Sequence, residues 1–392
     1  MRRAAIGLGA VALGMVAAGV VRAQGATLER RLAAIGDGRA EFSTAARADA
    51  CGDGRTWYRI GGDTWAARAG DGWTTDGSAI ACAVGPLRLR VTVLAGEVLR
   101  AEAFVGPLQR DSTAIDLGRV AGPEVAEWLL RLARGATGRT AREAIAGVAL
   151  LPAPVPGAEL AAVARDEDRA RDTRRAAVAA LARLEGGEGI AALIALGAIG
   201  DDGWLAHEAI RALGRSSDPR ARRELRAILA DRRRPESARA SAAVALGNDL
   251  ASGDDARALR AALPGLEGVG ARDSILAAAA SVGGRETRAW LLTLARDEAQ
   301  PLTVRRRATL LGERAGASGA ELVALYDAAP DTETRGSMIG VLARDGSRAA
   351  REKLVAIAKS TEAPVTRRRA ISALERFDGA DVREALAGLA RP

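Results

Sequence analysis

The sequence predicts a mainly helical protein, an α-solenoid (α-superhelix) of about eight helix pairs preceded by a small, disulfide-clipped, β-rich domain. Two observations predict this architecture. A short helical unit recurs down most of the chain, whereas the region before it carries glycine-rich turns, alternating residues and both cysteines. A unit that recurs at a fixed period is typical of a solenoid, in which each repeat covers its neighbour's apolar face.

Residues 1–23 have the features of a secretory signal peptide. Arg2 and Arg3 precede an apolar stretch that runs to Val21, and Ala23 ends a small-residue cleavage site. An uncleaved membrane anchor is the alternative, because the apolar stretch is close to the lower length limit for a membrane span. We therefore expect a periplasmic or secreted protein, attached to a membrane only if this segment is not removed.

Residues 24–110 are the predicted β-rich domain. A short helix is expected over 28–35, and Leu87–Val93 alternates apolar and polar residues as a half-buried strand does. A tight turn at 95–96 and a return strand over 97–105 predict a β-hairpin within a small antiparallel sheet. Three tryptophans are expected to supply much of the core of this domain: Trp57, Trp65 and Trp73.

The two cysteines, Cys51 and Cys82, both lie in this domain. In the oxidising compartments outside the cytosol, an isolated cysteine pair forms a disulfide. Two free thiols or a metal site are the alternatives, but two cysteines and one distant histidine are too few ligands for structural zinc. The sequence therefore predicts a disulfide and indicates neither a metal nor another cofactor.

Residues 111–122 are predicted to be a linker, and residues 123–392 to be the solenoid, which we expect to fold without residues 24–110. Its anchor positions are 29 to 36 residues apart: 181, 213, 246, 282, 311, 342 and 374. The second helices of the eight pairs are predicted near 139–151, 172–184, 203–214, 235–247, 270–283, 302–313, 332–343 and 364–376. A closing helix is expected at about 380–390.

The second helices are rich in alanine and end in patterns such as that of Ala209–Gly214. Over residues 123–390 this pattern resembles the short HEAT-like repeats first recognised in bilin lyases, and the whole chain looks like exported bacterial proteins with HEAT-repeat domains. The resemblance implies an α-superhelix and, usually, protein binding. It also permits a lyase-type enzyme, although bilin attachment is intracellular and the sequence contains no catalytic motif.

Arginines in the first turn of the second helices are the clearest polar regularity, and we call them the arginine ladder. Its members are Arg174, Arg175, Arg239, Arg305, Arg306, Arg307, Arg335, Arg367, Arg368 and Arg369. Cations are disfavoured at a helix N-terminus, so something must compensate for them. Acidic residues precede several members, which predicts either ion pairs that tie adjacent repeats together or an edge on which an acidic partner docks.

Composition and motifs favour binding over catalysis. Loss of Arg2, Arg3 and Arg22 with the signal peptide would lower the net charge from +8 to +5, a mild excess that does not indicate nucleic-acid binding. The single histidine, His207, has no nucleophile motif beside it. We therefore expect a protein without enzymatic activity, a scaffold or adaptor that binds another protein, with second helices on the concave face. The alternatives are a lyase-type enzyme and an envelope protein that binds acidic polymers through the arginine ladder.

Overall fold

The computed structural model describes residues 27–55, 57–60, 63–66, 82–107, 111–198, 203–377 and 379–389. The predicted signal peptide and Trp73 lie outside the described residues. Contacts within the chain divide it into two compact units, Met1–Ala180 and Leu181–Pro392. None of the helices in the described ranges is both long enough and apolar enough to cross a membrane.

The first unit begins with helix α1 and seven strands. Their bounds are α1 Leu28–Ala33, β1 Gly38–Thr44, β2 Ala50–Gly52, β3 Trp57–Ile60, β4 Asp63–Ala66, β5 Leu87–Leu94, β6 Glu97–Val105 and β7 Ile115–Arg119. The predicted hairpin is β5–β6, and its turn has positive φ at Ala95 (52°) and Gly96 (78°), as two-residue hairpin turns require. One sheet has the order β6-β5-β1-β7 and the other β2-β3-β4.

Two features of this region differ from the prediction. The four-stranded sheet is mixed rather than antiparallel, because β7 pairs in parallel with β1. This strand also lies within residues 111–122, where a linker was predicted. Four of its five residues are exposed, so β7 lacks the apolar alternation by which a strand is recognised in a sequence.

The core of this region is mainly aliphatic. Alternate residues of β5, from Leu87 to Val93, are at most 2% exposed, and Phe42 in β1 is 1% exposed. Trp57, expected in the core, is only half-buried. The predicted disulfide is confirmed: Cys51 in β2 is bonded to Cys82, with a Cα–Cα distance of 5.2 Å.

From residue 122 onward, the described chain forms eight helix pairs and a closing helix, as predicted. The first helices are α2 Gly122–Gly135, α4 Gly157–Arg165, α6 Ile190–Gly197, α8 Pro219–Ala230, α10 Gly253–Ala262, α12 Arg285–Arg296, α14 Gly319–Asp327 and α16 Arg348–Lys359. The second helices are α3 Gly138–Val148, α5 Arg171–Leu181, α7 Trp204–Gly214, α9 Glu236–Leu246, α11 Val269–Val282, α13 Leu302–Leu311, α15 Thr332–Asp345 and α17 Pro364–Leu374. The closing helix is α18 Ala380–Leu389.

In residues 181–392 the second helices pack directly on one another. A Cβ added to Gly214, the last residue of α7, would lie 2.8 Å from Cβ of Ala245 in α9. A Cβ on Gly247, which follows α9, would lie 2.6 Å from Cα of Ala278 in α11. The Ala-Leu-Gly endings of these helices therefore allow neighbouring backbones to approach closely.

Candidate functional site

The first arginines of the ladder bind backbone carbonyls at the end of the preceding helix. Arg174 Nε donates a hydrogen bond to the carbonyl oxygen of Ala164 in α4 at 2.9 Å. Arg239 donates from Nε to the carbonyl oxygen of Leu229 in α8 at 3.0 Å, and from Nη1 to that of Gly265, in the segment that follows α10, at 2.8 Å. Because the helices of a pair are antiparallel, the second helix begins beside the C-terminus of the first, where a cation is favourable. This contact compensates for the unfavourable position of these arginines.

Two arginines outside the ladder cap the first helix of the preceding pair. Arg169, between α4 and α5, donates from Nη1 to the carbonyl oxygens of Ala133 and Ala136 at 2.9 and 2.8 Å, at the end of α2. Arg234, between α8 and α9, donates to the carbonyl oxygen of Gly197 at the end of α6, at 3.1 Å. Sequence reasoning missed both residues, because their acceptors are backbone atoms of another repeat.

The middle of the ladder makes ion pairs between second helices. Arg306 Nε lies 2.8 Å from Asp331 Oδ2, and its Nη1 lies 3.6 Å from Glu333 Oε2, so Arg306 links α13 to α15. Arg307 Nε lies 2.5 Å from Asp273 Oδ1 and links α13 back to α11. These are contacts of the kind that the ion-pair interpretation of the ladder predicts.

Other members of the ladder make weaker contacts. Arg175 lies 3.7 Å from Asp172 within α5, and both side chains are exposed. The Nε atoms of Arg305 and Arg335 are shielded from solvent and have no hydrogen-bond partner among the described residues. Arg305 and Arg335 therefore tie no repeats together through a strong ion pair in the described part of the chain.

Arg367, Arg368 and Arg369, the last members of the ladder, are all exposed near the start of α17. Within the ranges that the structure describes, no hydrogen bond or ion pair joins them to another residue. Nη1 of Arg369 occupies the space that a Cβ on Gly336 of α15 would need. The ladder is thus divided into arginines bound to carbonyls, arginines in ion pairs, and free arginines at its C-terminal end.

A buried ionic cluster between α8 and α10 was also missed by sequence reasoning. Asp255 is 1% exposed and accepts hydrogen bonds at 2.7 Å from both Arg222 and Arg226. It also forms a capping box with Ser252 at the start of α10. Burial raises the pKa of Asp255, but the hydrogen bonds from Arg222, Arg226 and Ser252 outweigh it and hold the pKa below its ordinary value. Since every charge here has a partner, the cluster is structural.

The second helices of residues 181–392 present exposed side chains on the side away from the first helices. We call this the second-helix face. It includes Ser237, Val244, Ser281, Arg314, Ser337, Arg344, Val365, Arg368 and Ser372. A shallow depression of about 310 Å³, lined in part by Asn248, Ser281 and Arg314, lies at the C-terminal ends of α9 and α11. The face combines small polar residues, arginines and single valines.

The described residues contain no group of three or more histidine, cysteine, aspartate or glutamate side chains that could hold a metal ion. His207, at the start of α7, is half-buried. The carboxylate of the adjacent Glu208 pairs with Arg211 at 2.8 Å.

Comparison with solved structures finds other proteins at low identity. Human deoxyhypusine hydroxylase is 21% identical, with 59% of this chain and 94% of that chain covered and a TM-score of 0.28. The complex of CpcE and CpcF of phycocyanin lyase from Nostoc is 22% identical, with 60% and 96% covered and a TM-score of 0.32. Lipovitellin is 12% identical, with 76% and 41% covered and a TM-score of 0.36. At these values the likeness says nothing about function.

No curated protein sequence matches the chain. A protein-family model does match its C-terminal part: residues 319–392, which hold α14 to α18, match the model of HEAT repeats. Over these residues the match confirms the resemblance to HEAT-like repeats that the alanine-rich second helices indicate.

Proposed function

We propose that the chain is a non-catalytic, exported scaffold or adaptor that binds another protein through its second-helix face. The proposal rests on the way the second helices pack on one another. From α7 to α17, successive second helices pack on one another and leave one side of each helix at least partly exposed. Stacked repeats of this kind create extended binding surfaces.

Export is supported by two features of the N-terminal region. Residues 1–23 carry the signal-peptide pattern. Cys51 and Cys82 form a disulfide, a bond that persists in oxidising compartments and is rare in the cytosol. We therefore propose a periplasmic or secreted location.

The chemistry of the second-helix face also suits a protein partner. Arginine is enriched in protein interfaces, and the face combines it with exposed apolar residues such as Val244, which is 53% exposed, and Val365, which is 47% exposed. An acidic polymer would contact the arginines but would gain nothing from the valines.

Site-specific photo-crosslinking in the native envelope fraction tests the proposal. A photoreactive residue would replace Val244 or Ser337 on the second-helix face. In matched controls it would replace Arg257 in α10 or Arg348 in α16, which are exposed on first helices. We expect one protein to crosslink from both face positions and from neither control.

Crosslinks from the control positions alone would overturn the assignment to the second-helix face. Recovery of an acidic polymer in place of a protein, released by high salt, would favour the polymer-binding alternative, because exposed charge contacts are screened by salt.

A further inference from the structure

The start of α17 has an excess of positive charge that no ion pair among the described residues neutralises. Arg367, Arg368 and Arg369 are exposed and have no ion-pair partner among the described residues. Two neighbouring acids are already engaged. Both carboxylate oxygens of Glu362 lie 2.9 Å from the hydroxyl of Tyr326, which donates to them, and Glu333 pairs with Arg306.

Comparison of α13 with α17 shows what is missing. In α13, Arg307 reaches back over the preceding second helix and meets the carboxylate of Asp273. In α17, Arg369 also reaches back over the preceding second helix, but it lies over Gly336, where there is no side chain. Arg307 therefore forms an ion pair with the preceding second helix, whereas the guanidinium of Arg369 has no ion-pair partner among the described residues.

Gly336 makes room for this guanidinium at a cost to its own helix. Glycine inside a helix is less stable than alanine. Here a Cβ would occupy the position of Arg369 Nη1. The glycine thus leaves space for the guanidinium of Arg369 against α15. Val365, 47% exposed in the same turn of α17, adds an apolar contact next to the charges.

We infer that Val365, Arg368 and Arg369, which share one face of α17, form a docking surface for an acidic segment of a partner protein, with Gly336 leaving the space in which the guanidinium of Arg369 lies. Guanidinium groups bind carboxylates through paired, charge-assisted hydrogen bonds, and Val365 would contact an apolar side chain of the same segment. We call this set the α17 arginine surface. The inference rests on the proposed function, because it names the partner chemistry at one end of the second-helix face.

Binding of a fluorescent peptide, in which glutamates flank a leucine, to the full mature chain tests the inference by anisotropy. The double variant Arg368→Gln/Arg369→Gln should bind the peptide at least about tenfold more weakly, since hydrogen bonds between charged groups are strong. The matched control is Arg257→Gln/Arg348→Gln, which removes the same charge from exposed first-helix positions and should bind like the wild type.

Gly336→Ala is a second test that keeps every charge. Alanine favours the helix, so this variant should fold, and circular dichroism would verify that it does. Its Cβ must displace Arg369, so we expect severalfold weaker peptide binding. Unchanged binding in both this variant and the double variant would overturn the inference.

Two further outcomes separate the inference from the proposed function. If the control variant loses as much affinity as the double variant, the peptide binds by net charge alone and the α17 arginine surface is not a site. If the partner still crosslinks from Val244 and Ser337 in the double variant, the scaffold proposal stands and the inference is wrong. Tight binding of inorganic polyphosphate without binding of the peptide would assign the surface to a phosphate polymer and would also overturn the inference.

Discussion

At the scale of single residues, Arg239 shows why a chain with so many arginines can pack them against its core. Its side chain has a permanent charge, yet the residue is only 4% exposed. Its guanidinium has several donors in a planar fork, and two carbonyl oxygens at helix ends accept from it. The negative end of the preceding helix thus replaces the carboxylate that a buried arginine usually needs.

We predict that Arg239→Gln lowers the free energy of unfolding by about 2 kcal/mol, the loss expected when hydrogen bonds from a charged group are removed. Urea unfolding followed by circular dichroism measures this. Arg257→Gln, an exposed change of the same type, should stay within about 0.5 kcal/mol of the wild type. Equal midpoints for the two variants would show that the carbonyl contacts contribute no stability.

Asp255→Asn should be more damaging, by about 3–5 kcal/mol, because it leaves Arg222 and Arg226 without their buried partner. The pKa of Asp255 lies below its ordinary value in the folded state, whereas about 3.9 is expected in the unfolded chain. The stability that this carboxylate contributes is therefore fully present above about pH 4 and is lost as the pH falls through the folded-state pKa.

The pH dependence provides the measurement for this variant. Above about pH 4, the difference in unfolding free energy between the wild type and Asp255→Asn should be constant, and below it the difference should shrink. A constant difference down to pH 2 would show that folding does not lower the pKa of Asp255.

At the scale of elements, the sequence predicted the helices well and their caps poorly. The apolar period and signals such as Asp218 before Pro219 are local, and Asp218 does accept a hydrogen bond from the amide of Arg220. The caps made by Arg169 and Arg234 bridge 33 to 37 residues and end on carbonyl oxygens, so no side-chain pattern marks them.

The parallel pairing of β7 with β1 is also non-local, and for this reason alternation in β1 and β5 could not reveal it.

The second-helix stack makes its own prediction. Gly247→Ala puts a methyl group 2.6 Å from Cα of Ala278, so α9 and α11 must move apart, and we expect a loss of about 1–3 kcal/mol. Gly270→Ala is the matched control, because its Cβ would meet no atom within 4 Å and alanine favours the helix. Thermal melting should place the first variant below the wild type and the second at or above it. The reverse order would contradict the close backbone contact.

At the scale of the whole molecule, the compact unit Met1–Ala180 joins parts that the sequence predicted to be separate. The ring centroids of Phe42 in β1 and Trp128 in α2 are 5.7 Å apart. Glu143 of α3 accepts a hydrogen bond at 2.9 Å from the amide of Ala101 in β6. Helices α2 and α3 therefore pack against the sheet, which is a reason to expect that they need residues 24–110 in order to fold.

We predict that a chain truncated to residues 115–392 loses the fold of α2 and α3, because their apolar faces would have no cover. Limited proteolysis should then cleave within residues 115–180 and leave residues 181–392 resistant. The full mature chain, treated in parallel, should resist in both regions. Equal resistance of α2 and α3 in both proteins would support independent folding of the repeats instead.

The contacts between second helices also determine how the repeat stack responds to mechanical force. From α7 to α11, backbones touch at Gly214 and Gly247, and such close packing yields little to strain. From α11 to α15, long side chains bridge the helices through Arg306 and Arg307, and partly exposed ion pairs weaken in salt. When residues 181–392 are stretched, the contacts between α11 and α15 should therefore separate before those between α7 and α11. They should separate at a lower force in high salt.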